Sequence, residues 1–88
     1  MVWKVKFDKL AEKDLNKLDK QIAVRILKFL NERIAKLENP RPLGESLKGQ
    51  FEKYCKYGVG DYRIICNILD NTLTIIVVRV VNRKSVYH

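Results

Sequence analysis

The stretch YCKYGVGDYRIICNI, Tyr54 to Ile68, decides how the rest of the chain is read. Apolar and polar residues alternate on both sides of a glycine-bearing segment, the period-two pattern of a hairpin with one buried face. Side chains alternate along a strand, so Tyr54 and Lys56 share one face while Lys53, Cys55 and Tyr57 share the other. On the second arm Arg63, Ile65 and Asn67 lie together, with Gly58 and Gly60 forming the turn. A purely structural hairpin does not need that many cations near its turn. The segment therefore poses a chemical question as well as a topological one.

Working outward, one strand is expected near Lys53–Tyr57, a second at Tyr62–Leu69 and a third at Thr72–Val81, with a turn at Asp70-Asn71. Upstream, NPRPLGESLKGQ holds both prolines and two of the four glycines and reads as a connecting loop. Before it, Ile22, Ala23, Ile26, Leu27, Leu30, Ile34 and Leu37 recur at helical spacing, starting from Asp19 and stopped by Pro40 and Pro42. A shorter helix follows Asp8, with Leu10 (or Ala11), Leu15 and Leu18 as its apolar stripe. At the start, Trp3, Val5 and Phe7 alternate with Lys4 and Lys6 as a half-buried strand. The expected order is an N-terminal strand, an antiparallel helical hairpin and a three-stranded antiparallel meander. One sheet with helices on one face buries every apolar stripe, so the class is α+β. The uncovered face is where a ligand can lie.

A chain of 88 residues, 47% of them apolar, supports a single domain (residues 1–88) with a modest core. It contains no apolar run of about 18 residues and no signal-peptide pattern, so no membrane association is expected and a cytoplasmic location is the default. Cys55 and Cys66 match no metal-ligand spacing and form no disulfide framework, and Cys66 reads as a small core residue. His88 is the one histidine, which argues against a histidine-based metal site or triad, so no metal or other cofactor is expected. The net charge of +8 points to a polyanionic partner, either nucleic acid or an acidic protein.

The register after Ile68 governs the cation cluster. A three-residue loop puts Arg79 opposite Arg63, whereas a two-residue loop sends it to the other face. Like charges facing each other across a ladder destabilise it, so a tolerated cluster of Lys56, Arg63 and Arg79 suggests a bound phosphate. The alternative is that each cation extends to water. A second cationic segment, VVNRKSVYH, adds Arg83, Lys84 and Tyr87 after the last strand.

The order of elements, the VGDYRIICNI stretch and the terminal NRKSVY together resemble the RelE/ParE toxins of type II toxin–antitoxin pairs, over almost the whole chain. The RelE branch cleaves messenger RNA in the ribosomal A site without a metal, and an antitoxin protein blocks its active surface. The resemblance implies the ribosome, mRNA and a cognate antitoxin as partners. It places the strand lysine at Lys56, the arginine of "YR" at Arg63, the arginine after the last strand at Arg83 and the terminal tyrosine at Tyr87. Tyr54 occupies the position of a second lysine, and Tyr54, Arg79 and Lys84 are candidate RNA contacts. Gly58 stands where many relatives have arginine, and Val81-Asn82-Arg83 replaces Gly-His-Arg. Both changes remove a group able to bind phosphate or move a proton.

In such a reaction the neighbouring 2′-hydroxyl attacks the phosphate, leaving a 2′,3′-cyclic phosphate and a free 5′-hydroxyl. The protein must accept a proton, supply one and stabilise the added negative charge. Lys56 is the implied base, Arg63 the stabiliser of the charged phosphate and Arg83 the group at the leaving oxygen. Tyr87 either stacks on an unpaired base or folds back on the core. The competing readings are the ParE branch of the same fold, which inhibits DNA gyrase without cleaving, and a non-catalytic basic binding module.

Overall fold

The computed structural model of this chain describes residues 2–46 and 54–84. Strand β1 (Lys4–Phe7) leads into helix α1 (Lys9–Asn16) and helix α2 (Lys20–Lys28), which continues as a wider π-helical turn over Phe29–Ile34. Four further strands follow: β2 (Glu45–Ser46), β3 (Tyr54–Val59), β4 (Tyr62–Leu69) and β5 (Thr74–Asn82). They form one sheet in the order β1-β5-β4-β3-β2. The β1–β5 pair is parallel and the remaining pairs are antiparallel. The α+β architecture expected from the sequence is present. Among the described residues no helix is long and apolar enough to cross a membrane.

The core lies between the helices and one face of the sheet. Ala11, Ile26, Leu30 and Ile34 on the helices pack with Tyr57, Ile64, Cys66, Ile75 and Val77 on the strands. In α1 the alternative between Leu10 and Ala11 resolves to Ala11, which is buried while Leu10 is 51% exposed. The Asp8 carboxylate accepts the Lys9 N–H at 2.8 Å and caps this helix. The second helix departs from the expected regular run. Its Ala35 N–H reaches back five residues to the Leu30 carbonyl at 2.9 Å, and both Ile34 and Ala35 are buried. Ala35 and Leu37 then tie the helix end to the N-terminal segment, their carbonyls accepting from Trp3 N and Trp3 Nε1.

Three local expectations are corrected. Gly58 is part of β3, paired with Arg63, and the turn is the two-residue Gly60-Asp61, with Gly60 at φ +57°. Of Gly58 and Gly60, Gly60 alone uses the left-handed region that favours glycine. The segment around Glu45, read as loop, contributes the short β2, which pairs Glu45 with Lys56. The β4–β5 connection spans Asp70 to Leu73, with Leu73 left-handed at φ 46°, ψ 48°. Pairing begins at Leu69↔Thr74 and shifts at Ile65/Cys66, so Arg79 faces Ile65 while Arg63 faces Val81. The expected pairing of Arg79 with Arg63 is absent because the four-residue connection and the bulge each add one residue, so the partner of Arg79 moves by two, from Arg63 to Ile65.

Candidate functional site

Because Cys55, Tyr57, Ile64 and Cys66 point into the core, strand alternation turns Lys56, Gly58 and Arg63 to the opposite face. Lys56 pairs with Ile65, and Arg63 pairs with Gly58. The two cations therefore stand on adjacent strands, one diagonal step apart, on the face the helices leave open. Tyr54, across from Asn67, lies on the same face farther from the turn.

Arg63 is held in place rather than extended. Its Nη1 donates to the Gly60 carbonyl at 3.2 Å and to the Tyr62 carbonyl at 3.0 Å. The guanidinium lies over Gly58: a Cβ added there would sit 3.1 Å from Nη1 and 3.4 Å from Cζ. The absence of a side chain at Gly58 thus makes room for the neighbouring arginine. Arg83 comes to the same turn from β5, its backbone N–H donating to the Asp61 carbonyl at 2.8 Å with its side chain exposed. Asn82 accepts the Lys84 N–H at 2.9 Å, which shapes the turn carrying Arg83 and Lys84. Lys56 and Arg63 thus share one end of the open face, and the backbone of Arg83 is tied to the turn beside them. Tyr87 lies outside the described residues.

The nearest charged partner of Lys56 is a carboxylate. Its Nζ, half-buried, is 3.5 Å from Oε2 of the exposed Glu45 on β2. Arg79 belongs to a different arrangement. Its Nε donates to Asp14 Oδ2 at 2.8 Å and its Nη2 to Asp14 Oδ1 at 3.3 Å, while the Val80 N–H donates to Asp14 Oδ2 at 2.9 Å. Partial burial alone would raise the Asp14 carboxyl. The hydrogen bonds from Arg79 and Val80, with the charges of Arg79 and Lys17, outweigh that and hold it below the ordinary carboxylate value. Asp14 covers the stretch of β5 that extends past the end of β1, so Arg79 is committed to holding α1 on the sheet.

Two further features were not anticipated from sequence. Arg41 makes a two-pronged pair with Asp70, 2.9 and 2.6 Å, tying the connector to the β4–β5 loop. A cleft of about 400 Å³ also opens between the π turn and the end of β3, with Arg25, Lys28 and Arg33 on its wall. The spacing of Arg25, Phe29 and Arg33 by four residues was a readable signal that they share a helix face. Nothing in the sequence showed that this face meets Gly58 and Gly60. Among the described residues no cluster of three or more His, Cys, Asp or Glu side chains could hold a metal ion.

Residues 5–87 match the family described as the ParE toxin of the type II toxin–antitoxin system parDE. The fold is similar to a chain of the toxin–antitoxin complex RelBE2 from Mycobacterium tuberculosis, at 25% identity and TM-score 0.86, covering 94% of this chain and 93% of that one. It is similar to a chain of the RelB–RelE complex of Methanococcus jannaschii, at 32% identity and TM-score 0.71, covering 93% and 94%. A variant of the toxin RelE from E. coli in the free state matches at 23% identity and TM-score 0.78, covering 97% and 87%, a likeness of fold. Comparison with curated proteins finds no match.

Proposed function

This chain belongs to the RelE/ParE family of toxins from type II toxin–antitoxin systems, and from that premise we propose that it is a ribosome-dependent endoribonuclease acting in the cytoplasm. Its substrate is messenger RNA in the A site. The observation that supports this reading is the shared face of Lys56 and Arg63 beside the β3–β4 turn, to which the backbone of Arg83 is tied. Three cations there match a phosphate with charge developing on its oxygens.

The 2′-oxygen attacks phosphorus as its proton passes to the unprotonated Lys56 amine, and the bond to the 5′-oxygen breaks as that oxygen takes up a proton from solvent water. The products are a 2′,3′-cyclic phosphate and a 5′-hydroxyl. Arg63 stabilises the extra charge on the phosphate. The Gly60 and Tyr62 carbonyls fix one of its nitrogens, so its position is set before substrate arrives. Arg83 neutralises charge at the leaving oxygen without giving up a proton. Lys56 must leave Glu45 to act, and substrate phosphate competes for it. Tyr54, Lys84 and Tyr87 contact flanking nucleotides. Arg79 is assigned no part, because Asp14 already holds it. A cognate antitoxin covers the cationic face.

The test is cell-free translation with primer extension on the message. Discrete cuts within codons, lost in Arg63→Ala, support the reading. The family description as a ParE toxin gives one competing reading, inhibition of DNA gyrase, a specific footing. Loss of gyrase supercoiling, with intact message on translating ribosomes, would replace the nuclease reading with that one.

A further inference from the structure

The strip Gly58-Val59-Gly60 borders two cationic groups. On Gly58 lies the guanidinium of Arg63, and on Gly60 that of Arg25, whose Nη1 is 3.5 Å from where a Cβ would stand. Beyond Arg25 the cleft continues past Lys28 at the end of α2 and Phe29 and Arg33 on the π turn, with Glu32 as the one carboxylate on its wall among the described residues. Among the described residues, no carboxylate lies within salt-bridge distance of Arg25, Lys28 or Arg33, although Glu32 is close in sequence. All three are exposed. Helix packing against the core does not require this arrangement, and single-turn π segments recur at functional sites.

We propose that this cleft is a second phosphate subsite, in which Arg25, Lys28 and Arg33 hold the backbone of the single-stranded RNA next to the bond cleaved at Arg63. The inference rests on the ribonuclease reading. A single phosphate needs only one cluster. Two clusters flanking one backbone strip fit a ligand whose charge repeats along its length. Gly58 and Gly60 bring no side chain into the path, so a sugar–phosphate chain can pass close to the strip from one cluster to the other. Phe29 is half-buried against Tyr57, with ring centroids 6.2 Å apart, which fixes the wall from which the cations project.

The test is fluorescence anisotropy with the full chain and 2′-O-methyl oligoribonucleotides, whose blocked hydroxyl allows binding but not cleavage. A dinucleotide covers the Arg63 site alone, whereas an octanucleotide also reaches the cleft. The double variant Lys28→Gln/Arg33→Gln should bind the octanucleotide about tenfold more weakly, with its log–log salt slope smaller by about 1.4 for two lost contacts to a single strand. The dinucleotide should keep its affinity. Arg25→Gln gives a second variant on the same wall and should act in the same direction. Unchanged octanucleotide binding, or equal losses for both lengths, would overturn the subsite. Competition by polyglutamate as strong as that of the octanucleotide would overturn it in favour of an acidic protein segment. If Arg63→Gln weakens both lengths while the cleft variants do nothing, only the subsite is wrong. If the parent binds neither RNA, the subsite is wrong, while the ribonuclease reading is decided separately by primer extension on translating ribosomes.

Discussion

Because the Arg63 guanidinium occupies the space above Gly58, the smallest side-chain addition there tests the site. Gly58→Ala must push the guanidinium outward by a few tenths of an ångström or more, away from the Gly60 and Tyr62 carbonyls. The position is exposed and its φ is not positive, so the fold should tolerate alanine to within about 0.5 kcal/mol. Cleavage should fall at least about tenfold, since misplacing a catalytic group by an ångström can cost about a hundredfold. Equal cleavage at unchanged melting temperature would show that Arg63 does not act from its present position. Glu45 offers the opposite test. Its carboxylate holds the Lys56 side chain, which must leave it to meet the substrate phosphate. Glu45→Gln removes that partner from Lys56 and should raise the single-turnover rate near neutral pH, by a few-fold at most because the Glu45 carboxylate is solvent-exposed. Its effect on melting should be negligible. A fall in rate would assign Glu45 a positive part in the chemistry.

At the level of elements, Asp14 is the point where helix and sheet are joined, and its effect should depend on pH. The carboxyl lies below its ordinary value when folded, so its contribution is complete above the unfolded value of about 3.9. That contribution is lost as pH falls through the folded value. Asp14→Ala removes the acceptor for Val80 N–H and the partner of Arg79, and should cost about 1–3 kcal/mol at neutral pH. Denaturant midpoints of parent and variant should converge as pH drops below about 4. A gap that persists to pH 2 would mean that packing, not the charge, holds α1. This element also marks the limit of what sequence alone supplied. Alternation in β1, β3 and β4 and helical spacing in α2 were legible because each buries one face, and a one-residue slip would expose it. The bulge near Val78 was not legible, since Ile76, Val77 and Val78 read alike at either register. With the four-residue connection it set Arg79 opposite Ile65 and not Arg63, at the sheet edge where Asp14 holds it. Gly58 misled for a related reason: a glycine two residues before another suggests a turn, and only the pairing with Arg63 shows that it serves as space inside a strand.

Across the whole molecule, charge and geometry point to the same regulatory requirement. A net charge of +8 sits on a body of 32 × 30 × 22 Å, so long-range attraction to any polyanion is strong and declines with salt. Binding to RNA or ribosomes should therefore weaken steeply between low and physiological ionic strength, and salt-independent binding would point to an apolar interface instead. The same field makes the free protein hazardous to the cell that produces it, and neutralising it requires a partner with complementary charge. The matched RelBE2 and RelB–RelE structures are toxin–antitoxin complexes. The expected partner of this chain is thus an acidic or mixed-charge antitoxin that covers Lys56, Arg63 and Arg83 together. Co-expression with the adjacent reading frame should relieve growth arrest. Hydrogen exchange on the purified complex should slow selectively in β3, in the β3–β4 turn and at the end of β5. Lys56→Glu or Arg63→Glu should weaken the complex mainly through a slower association rate, because the changed charges lie on an exposed face. If the antitoxin rescued growth while exchange at those strands stayed as fast as in the free protein, direct occlusion would be wrong. The partner would then act elsewhere, by withholding the toxin from the ribosome without covering the site.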